Sequence, residues 1–133
     1  FWVEGGILRV KLPSGRVLHY VRPRIEQDPK FGTDIVTYEG YEQGRWSRLK
    51  TYGGKITENL TQAVARDCLA EAILRLDAAG YDIAFHVHDE VVIDAHPGTD
   101  PEEVAAIMSA PIEWAPDLPL AADAFVCEYY QKD

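Results

Sequence analysis

Cysteine and methionine are nearly missing from this sequence, and each scarcity narrows its class. The only thiols, Cys68 and Cys127, lie far apart and form no Cys-x-x-Cys pair. That argues against a disulfide-stapled scaffold and a structural zinc site, and leaves two reduced thiols in a cytoplasmic protein as the expectation. Met108 is the only methionine and the chain opens on Phe1-Trp2-Val3, so a preceding segment is expected. No stretch approaches the roughly 18 consecutive apolar residues of a membrane helix, and neither a bilayer span nor a signal peptide is expected.

Cations are scarce in one part of the chain. Residues 76–133 hold 1 of the 13 Lys+Arg and 13 of the 22 Asp+Glu, a balance of −12, whereas residues 1–75 hold the other 12 basic and 9 acidic residues, a balance of +3. A basic part beside an acidic part fits one surface that meets a polyanion and another that gathers cations; an uneven solvated surface is the plainer alternative. With 47% apolar and 26% charged residues over 133 positions, a single domain spanning residues 1–133 is expected.

The first third reads as strands. Apolar residues alternate from Ile7 to Lys11 and from Arg16 to Val21 around Leu12-Pro13-Ser14-Gly15, which predicts a hairpin. Pro23, Pro29 and Gly32 then predict an irregular connection over 21–32, followed by a second hairpin from Asp34–Tyr38 and Arg45–Tyr52. After the break at Gly53-Gly54, apolar residues recur at three- and four-residue steps from Leu60 to Leu76, which predicts a long helix over 57–79 with Thr57 as its N-cap and Gly80 as its left-handed C-cap. Tyr81–Val87 and Val91–Ala95 read as strands around a polar tip. Asp100-Pro101-Glu102-Glu103 predicts a short helix over about 101–109, and Leu120–Tyr130 a last strand. The fold class is therefore α/β in the α+β sense: a small antiparallel sheet that includes the late hairpin, with one long and one short helix.

Two constellations can carry chemistry. In His86-Val87-His88-Asp89-Glu90 three kinds of ionisable side chain sit between apolar strands, and the adjacent carboxylates Asp89 and Glu90 repel unless a cation joins them; hard oxygen donors on a hairpin suit Mg²⁺. A solvated turn is equally open. His86 and His88, two apart on a strand, would share a face and offer zinc two ligands, although a zinc-dependent hydrolase needs a third that the sequence does not provide. On the long helix, Lys55, Asn59, Gln62 and Arg66 recur at steps of four, three and four, a polar stripe suited to phosphates and groove edges of DNA or simply to solvent.

Taken together, Thr51-Tyr52-Gly53-Gly54-Lys55-Ile56-Thr57-Glu58-Asn59-Leu60-Thr61-Gln62-Ala63-Val64-Ala65-Arg66-Asp67 and His86-Val87-His88-Asp89-Glu90-Val91-Val92 resemble family A DNA polymerases of the phage and prophage type. Leu12–Tyr20 and Pro111–Leu120 extend the resemblance over nearly the whole chain, which would make it a C-terminal palm portion. The resemblance implies that Asp89 binds one of two catalytic Mg²⁺ ions, that Glu90 is a lesser catalytic carboxylate, and that His88, Lys55, Asn59, Gln62 and Arg66 hold primer-template DNA. It implies deoxynucleoside triphosphates as substrates. The family's upstream Asp-Tyr-Ser strand and fingers helix are not in this sequence, so the chain is expected to be inactive without an N-terminal polymerase portion. A non-catalytic DNA-binding module remains the alternative.

Overall fold

The computed structural model describes residues 1–131. It is an α+β structure of nine elements: β1 (Trp2–Glu4), β2 (Ile7–Lys11), β3 (Val17–Gln27), β4 (Asp34–Glu42), β5 (Arg45–Thr51), α1 (Gly53–Ala78), β6 (Ile83–Val87), β7 (Glu90–Ile93) and α2 (Pro101–Ser109). Two compact units divide it, Phe1–Val64 and Ala65 onward. No helix among the described residues is long and apolar enough to cross a membrane.

The first unit is an antiparallel meander in which β1 to β5 pair strictly in chain order. Its tight turns are written into the sequence. Gly5 and Gly6 have φ of 59° and 74°, and Gln43 and Gly44 have 49° and 80°, the positive values that a two-residue hairpin loop following the sheet's twist requires. One face of the sheet is apolar: Val10 and Tyr20 are buried, and the Tyr20 and Tyr38 rings meet edge to face with centroids 5.0 Å apart.

Where an irregular connection is expected from Val21 onward, β3 instead continues to Gln27. The register shifts between Val21 and Arg24, and Arg22 sits at φ 46°. This is a β-bulge, and a bulge is one of the few places inside a sheet that tolerates a residue without an N–H, here Pro23. The Arg48 guanidinium donates to the Arg22 carbonyl (3.2 Å) and to the Thr37 hydroxyl (3.0 Å), so the irregular backbone is satisfied from the neighbouring strands.

Helix α1 starts one turn earlier than its apolar pattern predicts. The Ile56 amide donates to the Tyr52 carbonyl (3.0 Å), and the Thr57 hydroxyl donates back to the Gly53 carbonyl (2.9 Å). Thr57 is thus inside the helix and is not its N-cap. The C-terminus matches expectation: Gly80 has φ 89°, its amide donates to Asp77 O and that of Tyr81 to Leu76 O, which is the paired pattern of a Schellman cap.

In the second unit, Leu69, Ala72 and Leu76 form the buried stripe of α1, and Arg75 donates to the carbonyls of Ala110 and Pro111, both at 2.8 Å. The β6–β7 hairpin forms a two-stranded sheet of its own, separate from the meander; the single small sheet expected from the sequence is two. No strand forms over residues 120–130. Alternating apolar residues make a strand only when a neighbouring backbone pairs with them, and here none does. At α2 the Asp100 carboxylate accepts from the Glu102 amide (2.9 Å) with Pro101 in the first turn. Asp100→Ala is expected to destabilise the second unit by about 0.5–2 kcal/mol, read as a lower urea midpoint with an unchanged m-value.

Candidate functional site

The late hairpin is held by the pairs Phe85↔Val92, His86↔Val91 and Val87↔Glu90, which leaves His88 and Asp89 as a two-residue tip. His88 adopts φ 52°, the left-handed value that lets so short a loop reverse the chain. Both tip residues are exposed. Asp89 therefore stands at the apex with its carboxylate in solvent, and Glu90, the first residue of β7, is half-buried beside it.

Glu90 has a partner that the sequence does not announce. The Tyr130 hydroxyl donates to its Oε2 (3.2 Å), and the Tyr130 ring meets Phe85 edge to face at 5.2 Å. Burial raises the Tyr130 phenol above its ordinary pKa, and the Glu90 charge adds to that shift. The phenol thus stays protonated and donates to Glu90 across the neutral range. Forty residues separate the pair, and no local periodicity links them.

His86 and His88 do not act as two residues of one strand face. His88 lies in the turn, outside β6. His86 meets Arg66 from α1, whose Nη1 and Nη2 lie 3.2 Å and 3.3 Å from Nδ1 and Nε2. The in-plane lone-pair directions of an imidazole's two nitrogens diverge, and a neutral ring has one acceptor, so a guanidinium that reaches both nitrogens lies largely against the ring. The common-face geometry behind the zinc expectation is absent, and Arg66, read from the sequence as a DNA contact, spends its guanidinium on His86.

In the first unit, the early turns of α1 divide the predicted stripe. Lys55 Nζ (2.9 Å) and Gln62 Nε2 (3.3 Å) both donate to Glu58 Oε1, a bridging role for Glu58 that the stripe did not include. That hydrogen bond and its charge raise the Lys55 pKa and keep it cationic. Asn59 is half-buried and donates to the Tyr20 hydroxyl at 3.3 Å, facing the sheet, whereas Lys55 and Gln62 are exposed.

Asp89 and Glu90 suit a hard divalent cation in donor type but not in number. Among the described residues no group of three or more His, Cys, Asp or Glu gathers to hold a metal, and Mg²⁺ requires near-octahedral oxygen coordination. The hairpin supplies part of a coordination shell at most.

No family model matches the chain, and no solved structure matches it. Over its whole length the chain is 56% identical, across 135 aligned residues, to a protein described as "DNA polymerase" from Bacillus phage SP02. It spans about a fifth (21%) of the length of that curated relative. The chain is thus similar to one portion of a phage DNA polymerase.

Proposed function

We propose that this chain is the C-terminal palm portion of a family A DNA polymerase and serves template-directed nucleotidyl transfer within a longer protein. The observation that carries the reading is a two-residue turn presenting Asp89 next to Glu90, in a chain 56% identical over its whole length to a phage DNA polymerase. Asp89, free in solvent, is the ligand offered to a catalytic Mg²⁺. Glu90, fixed by Tyr130, adds negative charge at the same place while its orientation is held by the phenol. A divalent cation bound there would polarise the nucleotide phosphates and favour the ionised primer hydroxyl. The remaining carboxylate ligand comes from the preceding part of the polymerase.

Primer-template DNA is the macromolecular partner and deoxynucleoside triphosphates are the small ones. Lys55 offers a phosphate contact. Gln62 and Asn59 offer amides to base edges, Gln62 from an exposed position and Asn59 after release from Tyr20. His88 approaches the primer end from the tip, and Arg66 acts through His86 on the hairpin.

Gln62→Ala separates the two roles. In a polymerase containing this chain it is expected to raise the KM for primer-template about tenfold, the loss of one good base-edge contact, with the Mg²⁺ dependence of kcat unchanged, because an amide is a poor divalent ligand. Steady-state primer extension over a Mg²⁺ series measures both. An unchanged KM for DNA would remove Gln62 from the interface.

A further inference from the structure

The face of the meander opposite its apolar side takes no part in the proposed nucleotidyl transfer. Strand alternation and the pairing register define it. Trp2 pairs with Arg9 and Arg9 with His19; Tyr41 pairs with Trp46. The pairing of β3 with β4 ends at Val21↔Glu39, and two residues along each strand from that pair, alternation puts His19 and Tyr41 on the same face. Trp2, Arg9 and His19 thus line up across β1 to β3, and Tyr41 and Trp46 across β4 and β5, together an aromatic and basic row on one face of the sheet.

The row is accessible. Trp46 is 58% exposed, Tyr41 71% and Trp2 40%. A soluble protein does not ordinarily leave two tryptophans and a tyrosine exposed on the same face of a sheet. The charges around the row are mostly basic, with Glu4, Glu26 and Glu39 the acidic residues on this face. Glu39 is shared by Arg22 and Arg48, each at 3.2 Å, so one carboxylate meets two guanidiniums. Lys11 and Arg24, on the same face, have no carboxylate within ion-pair distance among the described residues, while Glu4 is held by Arg9. The first unit as a whole, residues 1–64, carries 10 Lys+Arg against 7 Asp+Glu, a balance of +3.

Flat rings interleaved with cations are the complement of unstacked bases on a phosphate backbone. A duplex offers its rings only as edges and cannot stack on them. A protein ligand would match the aromatic row but not the surplus of positive charge. We propose that this face of the five-stranded sheet binds single-stranded nucleic acid, with bases stacking on Trp46, Tyr41 and Trp2 and phosphates meeting Lys11, Arg24 and the arginines about Glu39. The site lies on the meander and uses neither the hairpin tip nor the amides of α1, so it stands or falls separately from the polymerase reading.

The test is fluorescence anisotropy of labelled oligothymidylate and oligouridylate of about eight nucleotides titrated with the 133-residue chain. Saturable binding that weakens as salt rises is expected. Trp46→Ala is expected to weaken it at least about tenfold and Trp46→Phe to retain most of it, the loss and rescue of a stacking surface. Lys11→Glu with Arg24→Glu, both at exposed positions, probes the same face by charge and is expected to weaken binding to a similar extent even if Trp46→Ala lowers folding stability. Preference for oligouridylate or for oligothymidylate decides between RNA and DNA. The proposal is overturned if the wild-type chain binds neither oligonucleotide, if a melt-verified Trp46→Ala binds as wild type, or if a blunt duplex competes as well as the single strand.

Discussion

Asp89→Ala, introduced into a polymerase that contains this chain, is expected to reduce nucleotide incorporation by on the order of 10³-fold or more while leaving Tm within about 2 °C of the parent. The two halves of that expectation come from the same geometry. Asp89 is exposed at the apex of a two-residue turn, so its removal opens no cavity and breaks no packing. The backbone that shapes the turn owes its left-handed residue to His88 and is untouched. Loss of one charge next to Glu90 also lessens a local repulsion. A side chain that is dispensable to the fold and indispensable to synthesis is a ligand. Near-normal incorporation by a folded Asp89→Ala enzyme would overturn both the assignment of the tip and the proposed function.

Leu76→Ala has the largest effect expected on stability, about 2–5 kcal/mol. Leu76 is 0% exposed and lies in the last turn of α1, in line with Leu69 and Ala72. Truncation there removes methyl groups from a packed site and leaves a void that the helix cannot close, because its end is fixed by the Gly80 cap and by Arg75 on the Ala110 and Pro111 carbonyls. The matched control is Leu74→Ala, two residues away and 64% exposed, which is expected to change the urea midpoint little. Equal losses at the two positions would show that the stripe is not the core of this unit.

Local chemistry was legible in the sequence, and long-range pairing was not. The Gly80 cap, the Asp100-Pro101 helix start and the β6–β7 hairpin each depend on residues within a few positions of one another, and each was predicted and is present. The Pro23 bulge is not legible locally, because a proline without a visible partner strand signals a break; only the neighbouring strands reveal the tolerated site. Gly53 and Gly54 look like a boundary for a related reason, since glycine lowers helix propensity yet is admitted in a first turn. Trp2–Glu4 does not show as a strand in the sequence, because three residues carry too little alternation to register. The candidate site follows the same division. Its tip carboxylates stand adjacent in sequence, whereas Tyr130 on Glu90, His86 under Arg66 and Tyr20 on Asn59 join residues 40, 20 and 39 positions apart.

The strictly consecutive order of the first five strands has a kinetic consequence. Every pairing in that sheet closes a loop between neighbours in the chain, the tightest of them over two residues at Gly5-Gly6 and Gln43-Gly44. Little loop entropy is lost at each step, so the meander assembles by successive zipping from turns already shaped for reversal. A growing chain can complete each hairpin as it leaves the ribosome, and the aromatic row takes its final form when β5 docks as the last strand.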